Sequence, residues 1–160
     1  MGGMGGMART SVALIVDDDT DIRSLVRTAL EEEGWDVAEA VDGRAGLRHL
    51  RADVRSLVVL LDYRMPVLDG LDVLRAVADD PWLTMRHCFL LLTANAATLP
   101  TELQALARQL SVPILAKPFD LDDLLAAMSQ ASSAGAAAAV RVANMSPAAD
   151  GWELAHLAAS

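Results

Sequence analysis

The chain has little of several residues that would point to particular environments. Among its 160 residues Cys88 is the single cysteine, which excludes an internal disulfide and fits a reducing, cytoplasmic location. Its place in the apolar run HCFLLLT predicts a small buried side chain. Apolar runs reach about six residues, whereas a bilayer span needs roughly 20, so no membrane segment is expected. The opening MGGMGGMARTS lacks the apolar centre of a signal peptide, and residues 1–10 are interpreted as a flexible leader.

Basic residues are also scarce. The chain has 13 Lys and Arg against 22 Asp and Glu, a net charge of −9, so nucleic acid is not an expected partner. The three histidines, His49, His87 and His156, share no metal-ligand spacing, which favours surface or packing roles. With 53% hydrophobic residues, the chain is expected to fold as one globular domain with additional ends.

Short apolar runs alternate with amphipathic stretches along most of the chain. A first helix is expected to begin at Asp19 or Thr20 and to end before Gly34. The runs at 57–61 and 88–92 are apolar throughout, which is typical of parallel strands covered by helices on both faces. The pattern predicts five β/α units, with strands at 12–16, 35–40, 57–61, 87–92 and 112–116 and later helices at 43–52, 70–79, 99–110 and 120–130.

Polar residues stand where these predicted strands end. In a doubly wound parallel sheet ligands bind beyond the carboxyl ends of the strands, so these residues are expected along one edge. Three clustered carboxylates favour a hard divalent cation such as Mg²⁺, and a hydroxyl and an ammonium opposite them can hold phosphate oxygens. The pattern therefore indicates a phosphoryl-transfer site made of Asp17, Asp18, Asp62, Thr93 and Lys117.

Four motifs in this order resemble the response-regulator receiver domain of bacterial two-component signalling: LIVDDD, LLDYRMPVLDG, LLLTA and AKPF. The resemblance covers about residues 11–130. It implies an α/β fold with a doubly wound five-stranded parallel sheet, the flavodoxin-like (βα)5 receiver fold, with strand order 2-1-3-4-5. Residues 131–160 are rich in alanine and are interpreted as a tail in which Ser146 and Pro147 start one short helix.

The resemblance assigns a role to each residue at the strand ends. Asp62 resembles the aspartate that accepts the phosphoryl group. Asp17 and Asp18 resemble the pair that holds Mg²⁺ together with Asp62, and the Arg64 backbone carbonyl completes the ligand set. These roles agree with the chemistry of the residues, since an aspartate can act as a phosphoryl nucleophile and a bound cation offsets developing charge.

A second group of residues resembles those that bind the phosphoryl oxygens and form the switch region in this family. Thr93 and Lys117 would bind the oxygens, and Ala94 is small enough to leave room for a phosphodonor. Lys117-Pro118 resembles the family's cis peptide. Ile114 departs from the pattern, because many members carry Tyr or Phe there, so the usual aromatic switch is not expected.

Two other acidic-site patterns are testable against the sequence. Asp17, Asp19 and Asp21 have the spacing of a calcium loop, but that loop requires glycine and glutamate at the positions of Ile22 and Thr28. A calcium-binding loop is therefore not expected.

A haloacid-dehalogenase-like phosphatase with Asp17 as nucleophile would also use residues present here, Asp19, Thr93 and Lys117. That family has Thr or Val at the position of Asp21, needs a further strand with an acidic motif after Lys117, and leaves Asp62 without a role. A third reading keeps the receiver fold as an interaction module without phosphorylation.

Taken with the resemblance, the residues favour a signalling switch over a metabolic enzyme. The expected donor is a sensor histidine kinase or a phosphotransfer protein. The expected output is contact with a downstream protein through the face formed by residues 99–110, 112–116 and 120–130. About 30 residues follow the domain, too few for a DNA-binding output module, and Arg141 is their only basic residue.

Overall fold

The computed structural model of the chain describes residues 11–144, with side chains through residue 133. The leader expected at 1–10 and the short helix expected after Ser146 lie outside the described residues. The α-helices and strands in chain order are β1 (Val12–Val16), α1 (Thr20–Glu32), β2 (Asp36–Ala40), α2 (Gly43–Ala52), β3 (Leu57–Asp62), α3 (Gly70–Ala78), α4 (Pro81–Arg86), β4 (Cys88–Thr93), α5 (Thr101–Gln109), β5 (Ile114–Ala116) and α6 (Leu121–Asn144). The loop between β4 and α5 contains one 3-10 turn, Ala96–Thr98.

The five strands form one parallel sheet in the order β2-β1-β3-β4-β5. This confirms the predicted doubly wound sheet and its strand order. The chain runs outward from β1 to β2 and then returns to the other side of β1 with β3. The strand order therefore reverses between β1 and β3, and in such sheets the crevice at the carboxyl ends of these two strands is the ligand-binding position.

Helices cover both faces of the sheet, so the central strands are buried throughout. Along β1 the side chains alternate between two cores. Val12, Leu14 and Val16 pack on the side of α2, α3 and α5, whereas Ala13 and Ile15 pack on the side of α1 and α6. Burial of apolar side chains contributes roughly 25 cal/mol per Å² to stability. Packing on both faces therefore stabilises the central strands and, with them, the positions of the residues at their ends.

One helix was not predicted. The predicted elements leave residues 80–86 as a loop between the helix at 70–79 and the strand at 87–92, but α4 occupies Pro81–Arg86. Asp80 caps this helix by accepting a hydrogen bond from the Trp82 backbone N–H at 3.0 Å, and Pro81 provides the fixed φ of a first helical residue. Leu83 anchors the helix with a fully buried side chain. Trp82 therefore lies on a helix, half-exposed, and not in a loop.

The last strand is shorter than predicted. The expected strand at 112–116 is reduced to Ile114–Ala116. The Val112 backbone N–H donates instead to the Ala107 carbonyl at the end of α5, at 2.7 Å, and Pro113 has no N–H to donate.

The last helix is longer than predicted. The expected helix at 120–130 continues without interruption to Asn144. Alanine has the highest intrinsic helix propensity, so an alanine-rich segment needs no amphipathic pattern to extend an existing helix.

Cys88 is only partly buried, which corrects the expectation of full burial. It is the first residue of β4 and therefore lies at the margin of the core, whereas the remainder of the strand is buried. Within residues 11–144, no helix combines the length and apolar character needed to cross a membrane.

Candidate functional site

Three carboxylates meet at the point where the strand order reverses. Asp17 and Asp18 follow β1 directly, and Asp62 is the last residue of β3. One carboxylate oxygen from each lies within 4.8 Å of the other two. Asp17 and Asp62 are buried, with 1% and 6% of their surface exposed, whereas Asp18 is exposed. Such a cluster is costly without a cation, because like charges close together disfavour ionisation.

The Lys117 ammonium lies against this cluster. Its Nζ is 2.9 Å from Asp62 Oδ1, within hydrogen-bond distance, and 3.5 Å from Asp17 Oδ2. The lysine follows β5, two strands away from β3, so its long side chain reaches across the edge of the sheet. One ammonium against three carboxylates leaves the site with an excess of negative charge.

Burial and charge change the protonation behaviour of these groups. Burial raises the pKa of Asp62 to about 6, with a further contribution from Asp17, against the opposing hydrogen bond from Lys117. Burial likewise raises the pKa of Asp17, in spite of the backbone hydrogen bond from Asp19 and the charge of Lys117. For Lys117 burial acts to lower the pKa, but the hydrogen bond and charge of Asp62 outweigh it and raise the pKa.

The donor set fits a divalent cation. Asp17 Oδ1 accepts a hydrogen bond from the Asp19 backbone N–H at 2.9 Å, whereas within residues 11–133 the buried Asp17 Oδ2 accepts no hydrogen bond and has only the Lys117 ammonium near it, at 3.5 Å. A buried oxygen that accepts no hydrogen bond is costly, and here it lies beside two further carboxylates. Hard oxygen ligands of this kind are those that Mg²⁺ takes.

The loop after β3 is held close to the cluster by a glycine. A Cβ on Gly70 would lie 2.9 Å from the carbonyl oxygen of Asp62 and from the Tyr63 Cα, closer than any side chain tolerates. The Gly70 backbone N–H also donates to the Tyr63 carbonyl at 2.7 Å. Asp69 and Asp72 form a reciprocal capping box at the start of α3. The end of β3 and its Asp62 are thereby fixed in position.

Thr93 ends β4 beside the cluster and is buried, with 3% of its surface exposed. Its hydroxyl oxygen accepts a hydrogen bond from the Asn95 backbone N–H at 3.2 Å. The Thr93 carbonyl accepts from the Lys117 backbone N–H at 2.7 Å, so the ends of β4 and β5 are joined. Ala94 follows and is exposed.

The remaining residues of the predicted switch lie on β5 and after it. Ile114, the first residue of β5, is 39% exposed and pairs in register with Leu91. The Lys117-Pro118 peptide bond is cis, as the resemblance implied.

Arg64 lies two residues after β3 and is exposed. Its side chain stacks over the Tyr63 ring, with the guanidinium carbon 5.9 Å from the ring centroid. Arg64 and Asp18 line the same open depression at the surface, together with Met65, Pro66 and Asp69. The structure thus brings the acidic cluster, Thr93 and Lys117 to the carboxyl edge of the sheet, whereas Ile114 lies at the amino end of β5.

Sequence reasoning missed one residue that contacts the site. The Arg23 guanidinium, on α1, donates a hydrogen bond to the backbone carbonyl of Asp17 at 2.7 Å. A side chain bound to a backbone carbonyl has no sequence motif, because every residue carries that acceptor. The local signal was Glu39, a charged residue between Ala38 and Ala40 of β2, which binds the same guanidinium.

Comparison with known proteins identifies the family. The model of the Response regulator receiver domain family matches residues 13–129, which is most of the chain. The chain belongs to this family. Its receiver domain includes all the strand-end residues described above and the helices that cover the sheet.

Similar proteins agree with this assignment. The probable chemotaxis protein CheY of Rhizobium etli is 35% identical over 117 residues, which are 72% of this chain and 87% of that protein. The regulatory protein AtoC of Escherichia coli is 39% identical over 111 residues, 69% of this chain. The crystal structure of a CheY-like receiver domain protein from Methanospirillum hungatei has a TM-score of 0.66 and 30% identity, covering 78% of this chain and 96% of that one.

Many of the curated relatives are longer than the matched domain. The chain spans only 23% of AtoC, 31% of the transcriptional regulatory protein CseB of Streptomyces coelicolor and 47% of the response regulator MprA of Mycolicibacterium vanbaalenii. The similarity to these regulators therefore concerns their receiver domains.

Proposed function

We propose that the chain is a phosphorylation-dependent switch in which Asp62 accepts a phosphoryl group. The observation that carries this proposal is the buried carboxylate of Asp62, which lies 2.9 Å from the Lys117 ammonium and within the cluster completed by Asp17 and Asp18. Membership of the receiver family supports the same role.

In this reaction a carboxylate oxygen of Asp62 forms a bond to phosphorus, while the bond from phosphorus to the donor breaks and the donor leaves with that electron pair. Lys117 and Thr93 bind the oxygens of the transferred group and offset its charge. Exposed Ala94 leaves space for the donor beside the site. Hydrolysis of the aspartyl phosphate returns the chain to its starting state, so its chemistry is confined to its own phosphorylation and dephosphorylation.

Mg²⁺ is the cofactor that the donor set favours. Asp17, Asp18 and Asp62 would hold it with their carboxylates, and the Arg64 backbone carbonyl would complete the protein ligands. When bound, the cation neutralises negative charge on the phosphoryl group and in the cluster. The buried Asp17 Oδ2, which accepts no hydrogen bond from the described residues, supports this assignment.

The proposed partners are a sensor histidine kinase or phosphotransfer protein as donor and a downstream protein as target, with a cytoplasmic location. The face formed by α5, β5 and α6 is the proposed contact surface for the target. The net charge of −9 gives no support to a nucleic-acid partner for this chain. The domain itself is proposed to cover residues 11–130, with the remainder acting as an extension.

The two alternative functions differ from the proposed phosphoacceptor in ways that can be tested. A dehalogenase-like phosphatase would place the phosphoryl group on Asp17, but it needs a further strand with an acidic motif after Lys117, and up to residue 144 the element that follows Lys117 is the helix α6. An interaction module that is never phosphorylated would need no cation beside Lys117. Family membership and the geometry of Asp62 both favour the phosphoacceptor over these alternatives.

The test is to treat the purified chain with a small-molecule phosphodonor and Mg²⁺ and to map the modified residue by mass spectrometry. Asp62 should carry the phosphoryl group, and the Asp62→Asn protein should carry none. Omission of Mg²⁺ should abolish labelling. Label on Asp17 in the Asp62→Asn protein would favour the phosphatase, and no label on a folded wild-type chain would favour the interaction module.

A further inference from the structure

Arg23 connects the proposed cation site to the edge of the sheet. Its Nη1 donates to the Asp17 carbonyl at 2.7 Å, and its Nε donates to Glu39 Oε1 on β2 at 2.9 Å. The Arg23 side chain is 12% exposed and its bond to the Asp17 carbonyl is partly buried, whereas its bond to Glu39 lies at the exposed surface. Hydrogen bonds of a charged group are stronger than those between neutral groups.

Glu39 accepts hydrogen bonds from a second arginine as well. Its second oxygen, Oε2, accepts from Arg27 Nη1, and Arg27 also donates from Nη2 to the Val37 carbonyl at 3.1 Å. Burial acts to raise the pKa of Glu39, but the hydrogen bonds from Arg27 and Arg23 outweigh it and lower the pKa. Glu39 is therefore a charged anchor over the whole neutral pH range.

The carbonyl that Arg23 binds belongs to the peptide linking Asp17 to Asp18. A peptide unit is planar, so fixing the Asp17 carbonyl also fixes the nitrogen and Cα of Asp18. Within residues 11–133 no side chain binds the Asp18 carboxylate, and its direction therefore depends on the backbone. Asp17 is held independently, by its backbone N–H bonded to the Ala40 carbonyl at 3.2 Å and by the Asp19 N–H on Oδ1.

We propose that Arg23 is a positioning residue for the cation site: by bridging the Asp17 carbonyl to Glu39 it aims the Asp18 carboxylate at the cation and raises the affinity for Mg²⁺. This inference rests on the proposed function. Groups that orient metal ligands typically change metal affinity by about 10- to 100-fold when removed. Arg23 acts indirectly, through the peptide that links Asp17 to Asp18. We therefore expect its removal to weaken Mg²⁺ binding by about 10-fold, the lower end of that range.

The test measures Mg²⁺ binding directly, by calorimetry and by the shift in melting temperature with added Mg²⁺. Arg23→Ala should weaken Mg²⁺ binding by about 10-fold. Arg23→Lys should give an intermediate loss, because one ammonium does not reproduce the fork that binds both acceptors. At saturating Mg²⁺ both variants should be phosphorylated at nearly the wild-type rate, since the defect lies in affinity.

Arg27→Ala is the matched control. Arg27 binds the same glutamate and also joins α1 to β2, but it donates no hydrogen bond to Asp17 or Asp18. Its Mg²⁺ affinity should stay within about twofold of wild type, since only outer-shell partners of the ligands change affinity strongly. Equal losses in Arg23→Ala and Arg27→Ala, or wild-type affinity in both, would overturn the inference and leave Arg23 as a structural ion pair.

Circular dichroism without Mg²⁺ shows whether each variant is folded. If Arg23→Ala is unfolded, the Mg²⁺ affinities of Arg23→Lys and Arg27→Ala are compared instead. The proposed function fails separately: a wild-type chain that binds Mg²⁺ but is not labelled at Asp62 would refute the phosphoacceptor, while the Mg²⁺ series still decides the role of Arg23. A wild-type chain that does not bind Mg²⁺ overturns both.

Discussion

At the scale of single residues, Asp62 is placed where its charge is costly until a cation arrives. Its pKa of about 6, against an ordinary value of 3.8, means that the folded chain keeps a proton that the unfolded chain releases between these two pH values. Stability of the cation-free protein therefore falls as pH rises through that window. Binding of the proposed Mg²⁺ would offset this cost.

Asp62→Asn should therefore stabilise the cation-free protein at pH 7.5, by about 1 to 3 kcal/mol, because a neutral amide removes a disfavoured charge. The gain should shrink as pH is lowered through 6 towards 4, where wild-type Asp62 is protonated as well. Urea unfolding in the presence of a chelator measures both. Asp21→Asn, an exposed residue of α1, should change stability little; a destabilised Asp62→Asn protein would show that its ion pair with Lys117 outweighs burial.

His87 is the residue at the opposite end of the sheet whose role the sequence did not specify. It is buried, its Nδ1 accepts the Leu57 backbone N–H at 3.2 Å, and its Nε2 lies 3.1 Å from the Leu50 carbonyl oxygen. The imidazole thus joins the end of α2 to the start of β3. Burial lowers the pKa of His87 from the ordinary 6.5, against the opposing hydrogen bond to the Leu50 carbonyl.

His87→Ala should destabilise the protein by about 2 to 4 kcal/mol, because it leaves a cavity and an unpaired buried N–H. Since the unfolded chain takes up a proton at this residue near pH 6.5 and the folded chain does not, the loss should be full above that pH and shrink below it. Thermal unfolding at several pH values tests this. His49→Ala, on the half-exposed side of α2, is the control; an equal loss there would contradict the assigned role of His87.

At the scale of elements, the sequence predicted most accurately the strands that are buried on both faces of the sheet. Strands β1, β3 and β4 are covered on both faces, so an unbroken apolar run identified each of them. Prediction failed where a neighbour decides the outcome, as at β5, where Val112 donates to α5 instead of to the sheet. It also failed at α6, where alanine extends the helix without an apolar period.

The candidate site was predictable for a related reason. Parallel strands place their carboxyl ends at one edge, so Asp17, Asp62 and Thr93 could be brought together from strand positions alone. Arg23 could not, because its position depends on how α1 packs against β2 and its acceptor is a backbone carbonyl.

The extension of α6 provides a prediction about the domain boundary. Leu124, Met128 and Ala131 are its fully buried residues up to residue 133, so a chain ending at Ser132 keeps all three. Such a chain should fold, lose at most about 1 to 2 kcal/mol through fraying of the shortened helix, and still be labelled at Asp62. Circular dichroism and mass mapping test it. A folded truncated chain that resists phosphorylation would place residues beyond 132 in the function.

At the scale of the whole molecule, two contacts join the site to the proposed output face. The Lys117 backbone N–H is bonded to the Thr93 carbonyl, and the Thr93 hydroxyl accepts the Asn95 N–H at the start of the loop leading to α5. Arg75 on α3 also binds Glu102 on α5 through Nε at 2.6 Å and Nη2 at 2.5 Å, but this pair is half-exposed and contributes little to stability. These contacts lead us to propose the Thr93 hydroxyl as the group that responds to a phosphoryl oxygen and releases the loop.

Activation should therefore change the loop at 94–99 more than strand β5. A hydroxyl that turns towards a phosphoryl oxygen gives up the Asn95 N–H, whereas Ile114 is stiff at χ1 and has no hydroxyl with which to exchange partners. Amide hydrogen exchange with and without a beryllofluoride phosphate mimic should show faster exchange across 94–99 and little change across 112–116. Thr93→Val should remove the loop response while the mimic still binds. A strong change confined to 112–116, with the loop silent, would mean that the signal passes through β5 by a route that does not involve Thr93.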